Sequence, residues 1–230
     1  MSPMGPAHVD AINIDVPGVG TLGADLALAT PHGPLVVFAH GSGSSRHSPR
    51  NQAVARRLLA EGFGTLLLDL LTEAEDAVER DGGQLRFDVD QLAHRLVVGV
   101  DWLDARPELR PESIGYFGAS TGAAAALVAA ARQRVRITAI VSRGGRPDLA
   151  GDALSLVNAP TLLIVGGRDG EVIELNERAI RRMHCERRLE VVPGATHLFE
   201  EPGTLERASE LAVGWFARHL GSAHRDLSAS

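Results

Sequence analysis

The chain has 230 residues, a formal net charge of −6, a mean hydropathy near zero and one cysteine, Cys185. A chain of this length buries roughly 70% of its unfolded surface in one core, so it can fold without disulfides, and a lone cysteine excludes an internal disulfide or a cysteine-based zinc cluster. All 23 basic residues are arginine, which excludes the phosphate-loop lysine, Schiff-base and pyridoxal-phosphate enzymes, Ser–Lys hydrolases and protein kinases.

Short apolar runs rich in β-branched residues recur at 9–16, 22–29, 35–39, 65–70, 113–117, 137–141, 161–165 and 189–192. They predict strands, and Pro17-Gly18-Val19-Gly20 between the first two reads as a hairpin turn. From residue 35 onward helical patterns alternate with the runs, at 50–61, 88–105, 120–132, 171–184 and 204–220. That alternation predicts an α/β fold: a mostly parallel sheet of about eight strands with helices on both faces. Between 141 and 161 only 153–157 offers a helical turn, so no insertion is long enough for a large cap domain. The acidic, glycine-containing stretch 71–87 is expected to be an irregular surface excursion. Without repeats or internal low-complexity segments, the expected organisation is one domain over 1–220 and a polar tail over 221–230.

Phe117-Gly118-Ala119-Ser120-Thr121-Gly122 places Gly-x-Ser-x-Gly between a strand pattern and an alanine-rich helix pattern. A sharp strand-to-helix turn forces its central residue into a strained backbone conformation, and only small residues two before and two after it let strand and helix approach. Ser120 is therefore the candidate nucleophile; the alternative is a plain helix N-cap. A serine needs a base and a group that orients the base. Asp169 lies just past the run at 161–165, and His197 just past that at 189–192. Loops at the carboxyl ends of parallel strands share one rim, where they converge. Asp148, after the run at 137–141, is the rival acid. His40-Gly41-Ser42-Gly43-Ser44 follows the run at 35–39 and can turn backbone N–H groups inward, so the oxyanion donors are expected to be the amides of Ser42, or alternatively Gly43, and of Thr121.

Arg46 and Arg50 follow the glycine-rich loop, and Arg143 and Arg146 follow the run at 137–141. All four should lie on the same rim. Arg46 and Arg143 are the candidates for binding a carboxylate on the substrate; the alternative is that these arginines pair with Asp148, Glu73 or Asp69 and hold loops together. No compact metal-ligand set appears, so neither metal nor other cofactor is expected. Dispersed arginines in an acidic chain argue against a nucleic-acid partner, and no segment reads as a membrane span or secretory signal, which places the protein in the cytoplasm.

From about 35 to 220 the chain resembles the α/β-hydrolases, and more narrowly their dienelactone-hydrolase-like members. Gly118 to Gly122 match the nucleophile elbow, Asp169 the acid, His197 the base and His40 to Ser44 the oxyanion loop, in the chain order Ser, Asp, His. The resemblance implies a cofactor-free serine esterase or lactonase without a large cap, acting on a small molecule. Dienelactone hydrolases themselves carry cysteine as nucleophile, whereas this chain has Ser120; Cys185 follows a helix at the opposite end of a strand and reads as a packed small residue. An amidase or peptidase with the same three residues, and a non-catalytic binding protein of this fold, are the other readings.

Overall fold

The computed structural model describes residues 8–80, 83–133 and 136–221; beyond Gly221, the expected polar tail lies outside them. All eight apolar runs form strands of one sheet: β1 (Asp10–Val16), β2 (Gly20–Ala27), β3 (Leu35–Ala39), β4 (Gly64–Leu68), β5 (Ile114–Ala119), β6 (Ile137–Arg143), β7 (Thr161–Gly166) and β8 (Arg187–Val192). Their order across the sheet is β1-β2-β4-β3-β5-β6-β7-β8. The β1–β2 hairpin and the β2–β4 pair are antiparallel, and every pair from β4 to β8 is parallel.

Central strands β3, β4, β5 and β7 are buried along their whole length, which is why their sequences are continuous apolar runs without alternation. The alternation reappears in which layer each residue enters. Leu35, Val37 and Ala39 pack against α3 (Val89–Asp104) and α4 (Thr121–Arg132). Val36 and Phe38 pack against α1 (Pro49–Ala60) and α6 (Thr204–His219). Another helix, α5 (Gly170–Arg182), contributes Ala179 to the α3 and α4 layer. Helices thus cover both faces.

Topology sets the site. β3 has β4 on one side and β5 on the other, in register Ala39↔Leu68 and Ala39↔Gly118. The chain moves from β3 to β4 and later returns through α3 to β5, so the sheet changes winding direction between β3 and β5. A crevice opens outside the carboxyl ends of strands at such a point.

Two segments differ from expectation. Within 71–87, Glu73–Arg80 forms a helix, α2, and Leu85–Phe87 a single 3-10 turn. The signal that the composition obscured is Thr72-x-x-Glu75. Thr72 Oγ1 accepts from Glu75 N–H at 3.2 Å, and a Glu75 carboxylate oxygen accepts from Thr72 N–H at 2.8 Å, a reciprocal cap for a helix whose first turn is acidic. Between β6 and β7 the expected helical turn is longer, a 3-10 segment over Pro147–Leu156 broken at Gly151, whose φ is +54°.

Thr72→Ala removes one half of the reciprocal cap and should cost about 1 kcal/mol, within α2. Hydrogen exchange over 73–80 should accelerate about fivefold while amides of β3 and β5 keep their protection. Uniform loss across the sheet, or no change in α2, would contradict this account of the helix.

Candidate active site

Ser120 occupies the turn between β5 and α4 with φ +51° and ψ −123°, a backbone region costly for any residue with a side chain. Two glycines permit it. A Cβ at residue 118 would lie 2.5 Å from Ala123 Cα, and one at residue 122 would overlap the carbonyl oxygens of Ala39 and His40. β6 fixes the turn from the other side: Ser120 N–H donates to Arg143 O at 3.3 Å, and Arg146 N–H donates to Ser120 O at 3.1 Å. Ser120 has no side-chain capping bond to α4, so the plain N-cap reading does not describe it.

His197 and Asp169 meet as the sequence positions require. His197 Nδ1 is 2.6 Å from Asp169 Oδ2; the imidazole donates here, because an ionised carboxylate only accepts. Their loops press together: Gly167 N–H donates to Val192 O at 2.8 Å and Arg168 N–H to Ala195 O at 2.9 Å. A Cβ at residue 166 would lie 2.5 Å from Ala195 O and 2.6 Å from Thr196 O. Glu201 then ties down the base of the His197 loop by accepting from Thr196 N–H at 3.0 Å, and that bond pulls its carboxyl below the usual range. Asp148, the rival acid, instead makes two hydrogen bonds with the Arg146 guanidinium, at 2.9 and 2.8 Å.

Ser120 and His197 line one cleft of about 270 Å³ with Gly41, Ser42, Ser44, Ser48, Arg50, Asn51, Ala119, Arg143 and Leu198. The glycine-rich loop lies against the serine; a Cβ at residue 41 would be 3.0 Å from Ser120 Cβ. Ser42 N–H donates to Thr121 Oγ1 at 2.9 Å, so the amide expected to await an oxyanion already has an acceptor. Gly43, its alternative, faces a second cavity with His40 and Arg86. Thr121 begins α4, where the first amides have no intrahelical carbonyl.

His40 anchors this loop. It is buried at the end of β3, its Nδ1 donating to Gly41 O at 2.9 Å and its Nε2 accepting from Leu70 N–H at 3.0 Å. Acceptance at Nε2 requires the neutral ring, and burial lowers the His40 pKa.

The four rim arginines separate. Arg46 is withdrawn: its guanidinium pairs with Asp69 and Asp25, and it lines a different cavity, with Thr72 and Asp76. The structure thus places the Arg46 guanidinium between two carboxylates and outside the Ser120 cleft, away from the position expected of a substrate-binding group. Arg146 is held by Asp148. Arg143 does line the Ser120 cleft, and so does Arg50, which the sequence placed on the rim without a role. The start of α1, marked by Ser48 as N-cap and Pro49 at its first position, is the signal that brings Arg50 and Asn51 to the cleft.

Cys185, after α5, packs beside Thr161 near the amino end of β7, and burial raises its thiol pKa. Among the described residues no group of three or more His, Cys, Asp or Glu could hold a metal ion, and no helix is long and apolar enough to cross a membrane.

Comparison with known proteins agrees with this architecture. The profile of the dienelactone hydrolase family matches residues 25–219. A dienelactone hydrolase from Anabaena variabilis superposes with a TM-score of 0.90 at 49% identity, covering 93% of this chain and 99% of that one. An α/β serine hydrolase without lid from Xanthomonas campestris superposes with a TM-score of 0.74 at 20% identity, over 96% and 99% of the two chains. A Mycobacterium tuberculosis H37Rv protein whose name proposes a phosphoribosyl transferase is 59% identical over 195 residues; the match covers 84% of this chain but only 43% of that protein. The shared architecture is the α/β-hydrolase fold.

The neutral His40 ring has a pH signature. Its folded pKa lies below the unfolded value of about 6.5, so the unfolded chain binds the proton first. Its contribution to stability is complete above pH 6.5 and is lost as pH falls toward the folded pKa. Urea unfolding of wild type between pH 7.5 and 5 should show this decline, and His40→Gln should show a shallower one. Identical slopes in the two proteins would contradict the assignment.

Proposed function

Because the chain belongs to the dienelactone hydrolase family, we propose that it is a serine hydrolase that opens small esters or lactones through an acyl-enzyme on Ser120. The observation that carries the reading is the strained Ser120 backbone, at φ +51°, in the same cleft as an imidazole held 2.6 Å from a partly buried carboxylate. Strain of this kind persists only where the surroundings over-determine it, and it concentrates at functional sites. The mycobacterial relative's transferase name belongs to a protein more than twice the matched length, and the chemistry proposed here rests on this chain's own cleft.

In the proposed reaction Ser120 Oγ attacks the carbonyl carbon while His197 Nε2 takes the hydroxyl proton. Asp169 keeps the other ring proton on Nδ1 and stabilises the imidazolium. The tetrahedral oxyanion is received at the start of α4 by Thr121 N–H, where the helix dipole favours negative charge. Ser42 N–H is the second donor, exchanging Thr121 Oγ1 for the stronger, charged acceptor. Collapse breaks the acyl–oxygen bond, and His197 returns the proton to the departing alcohol. Water, deprotonated by His197, then releases the acid and restores Ser120. The absence of a large cap leaves the acyl pocket shallow, which suits small acyl groups over long lipid chains, since little apolar surface is buried at about 25 cal/mol per Å².

Ser120→Ala should lower kcat/KM for p-nitrophenyl acetate by roughly 10³-fold or more with the Tm retained. Asp169→Asn should lower it by about 10³-fold through stabilisation of the wrong imidazole tautomer, and Asp148→Asn by less than about tenfold. The reverse order for the two aspartates would move the acid to Asp148, and undiminished turnover in Ser120→Ala would end the proposal.

A further inference from the structure

Arg143 is the exception among the buried arginines. Arg95 is buried against Glu75, Arg136 is partly buried against Asp104, and Arg46 is held by Asp25 and Asp69. Arg143 is 6% exposed, yet among the described residues no carboxylate pairs with it. Its Nη2 donates to the neutral Asn51 Oδ1 at 3.2 Å, its Nε is buried without a partner, and its guanidinium carbon stands 5.7 Å from the Phe199 ring centroid. Burial, with Arg50 as a like-charged neighbour, lowers its pKa to about 10, so it remains a cation at neutral pH. A buried charge without a counterion is expensive, and the fold elsewhere avoids it.

The same wall carries more positive potential. Arg50 lines the cleft, and its ion pair is with Glu200, whose side chain is 62% exposed; a pair so open to solvent is worth little and is easily exchanged. The first turn of the twelve-residue helix α1 opens onto this wall. Pro49 at its first position has no N–H, Ser48 Oγ serves the Asn51 N–H, and the Arg50 N–H has no partner among the described residues. Two guanidiniums, one without a carboxylate partner, and an open helix N-terminus converge on a cleft that also contains Ser120.

We infer that Arg143, Arg50 and the first turn of α1 form a recognition site for a phosphate monoester group carried by the ester substrate. A carboxylate, the anion suggested by the sequence, offers two oxygens and one charge, which answers one guanidinium. A phosphate monoester offers three oxygens and nearly two charges, matching both guanidiniums and the helix amide. Within one small cleft the phosphate stands only a few bonds from the scissile carbonyl. This inference rests on the hydrolase reading for its substrate but not for its binding site.

Three esters test it at fixed ionic strength: 2-acetoxyethyl phosphate, 3-acetoxypropanoate and the neutral 2-methoxyethyl acetate. Each is hydrolysed to acetate and the matching alcohol, measured by pH-stat. The phosphate ester should exceed both others in kcat/KM by about tenfold or more, the effect of roughly one charge-assisted contact. Arg143→Gln and Arg50→Gln should each bring the phosphate-to-neutral ratio to within about threefold of one; as a ratio, it is unmoved by a general loss of activity. If Arg143→Gln fails to fold, Arg50→Gln, at the more exposed position, carries the test. A phosphate ester no faster than the carboxylate ester, or ratios unchanged in the variants, overturns the inference. Calorimetric titration of 2-hydroxyethyl phosphate into Ser120→Ala separates the two readings. Binding that Arg50→Gln abolishes supports the phosphate site even if no ester is turned over, and no binding overturns it even if esters are.

Discussion

The close approach of α4 to the end of β3 is the constraint on which the site depends. Residues 118 and 122 must lack a Cβ because the helix backbone and the Ala39 and His40 carbonyls occupy that space. The contact drives Ser120 into positive φ, points the start of α4 at the glycine-rich loop and puts Thr121 within hydrogen-bond reach of Ser42. The run of alanines after Gly122 continues the same logic. Ala123, Ala124, Ala125, Ala126, Ala129 and Ala130 are buried, and small side chains let the helix axis lie close to the sheet over its whole length.

Charge does the second half of the work, and it acts on loops. His40 ties the glycine-rich loop to Leu70 past the end of β4, and Arg46 ties its far end to Asp69 and to Asp25 on β2. Gly23 on β2 leaves the space that the Arg46 guanidinium fills. On the other side, Glu201 and the backbone bonds between the β7 and β8 loops hold His197 over Asp169. The loops that carry the proposed catalytic residues are thus fixed by partnered polar groups, as a preorganised site requires. Against that background Arg143, buried without a carboxylate partner, is the group on which the proposed phosphate site is built.

Much of this was legible from the sequence because it follows from local rules. Short continuous apolar runs bounded by turn signals fit strands, and the central ones are buried on both faces; Gly-x-Ser-x-Gly between such a run and alanines marks a turn with a close backbone approach. Positions just past strands located Asp169 and His197 on one rim. Rim membership did not say which residues meet. Arg46 and Arg143 look equivalent as sequence, but one faces Asp25 and Asp69 on the antiparallel side of the sheet and the other lines the cleft that contains Ser120, a difference set by pairings distant along the chain. Ser42 likewise stood at the expected place with its N–H turned to the Thr121 hydroxyl, a bond between side chain and backbone that no periodicity encodes. The helix at 73–80 was missed because its acidic composition masked a capping pair.

On the proposed reading Ser120 is the one activated nucleophile among the described residues. Peptide-level mass spectrometry after brief treatment with a fluorophosphonate tests it directly. The account predicts a single adduct on Ser120 in the wild-type protein and its loss in His197→Ala, where the base is gone but Ser120 remains. An adduct on a different residue, or equal labelling of Ser120 without His197, would contradict it.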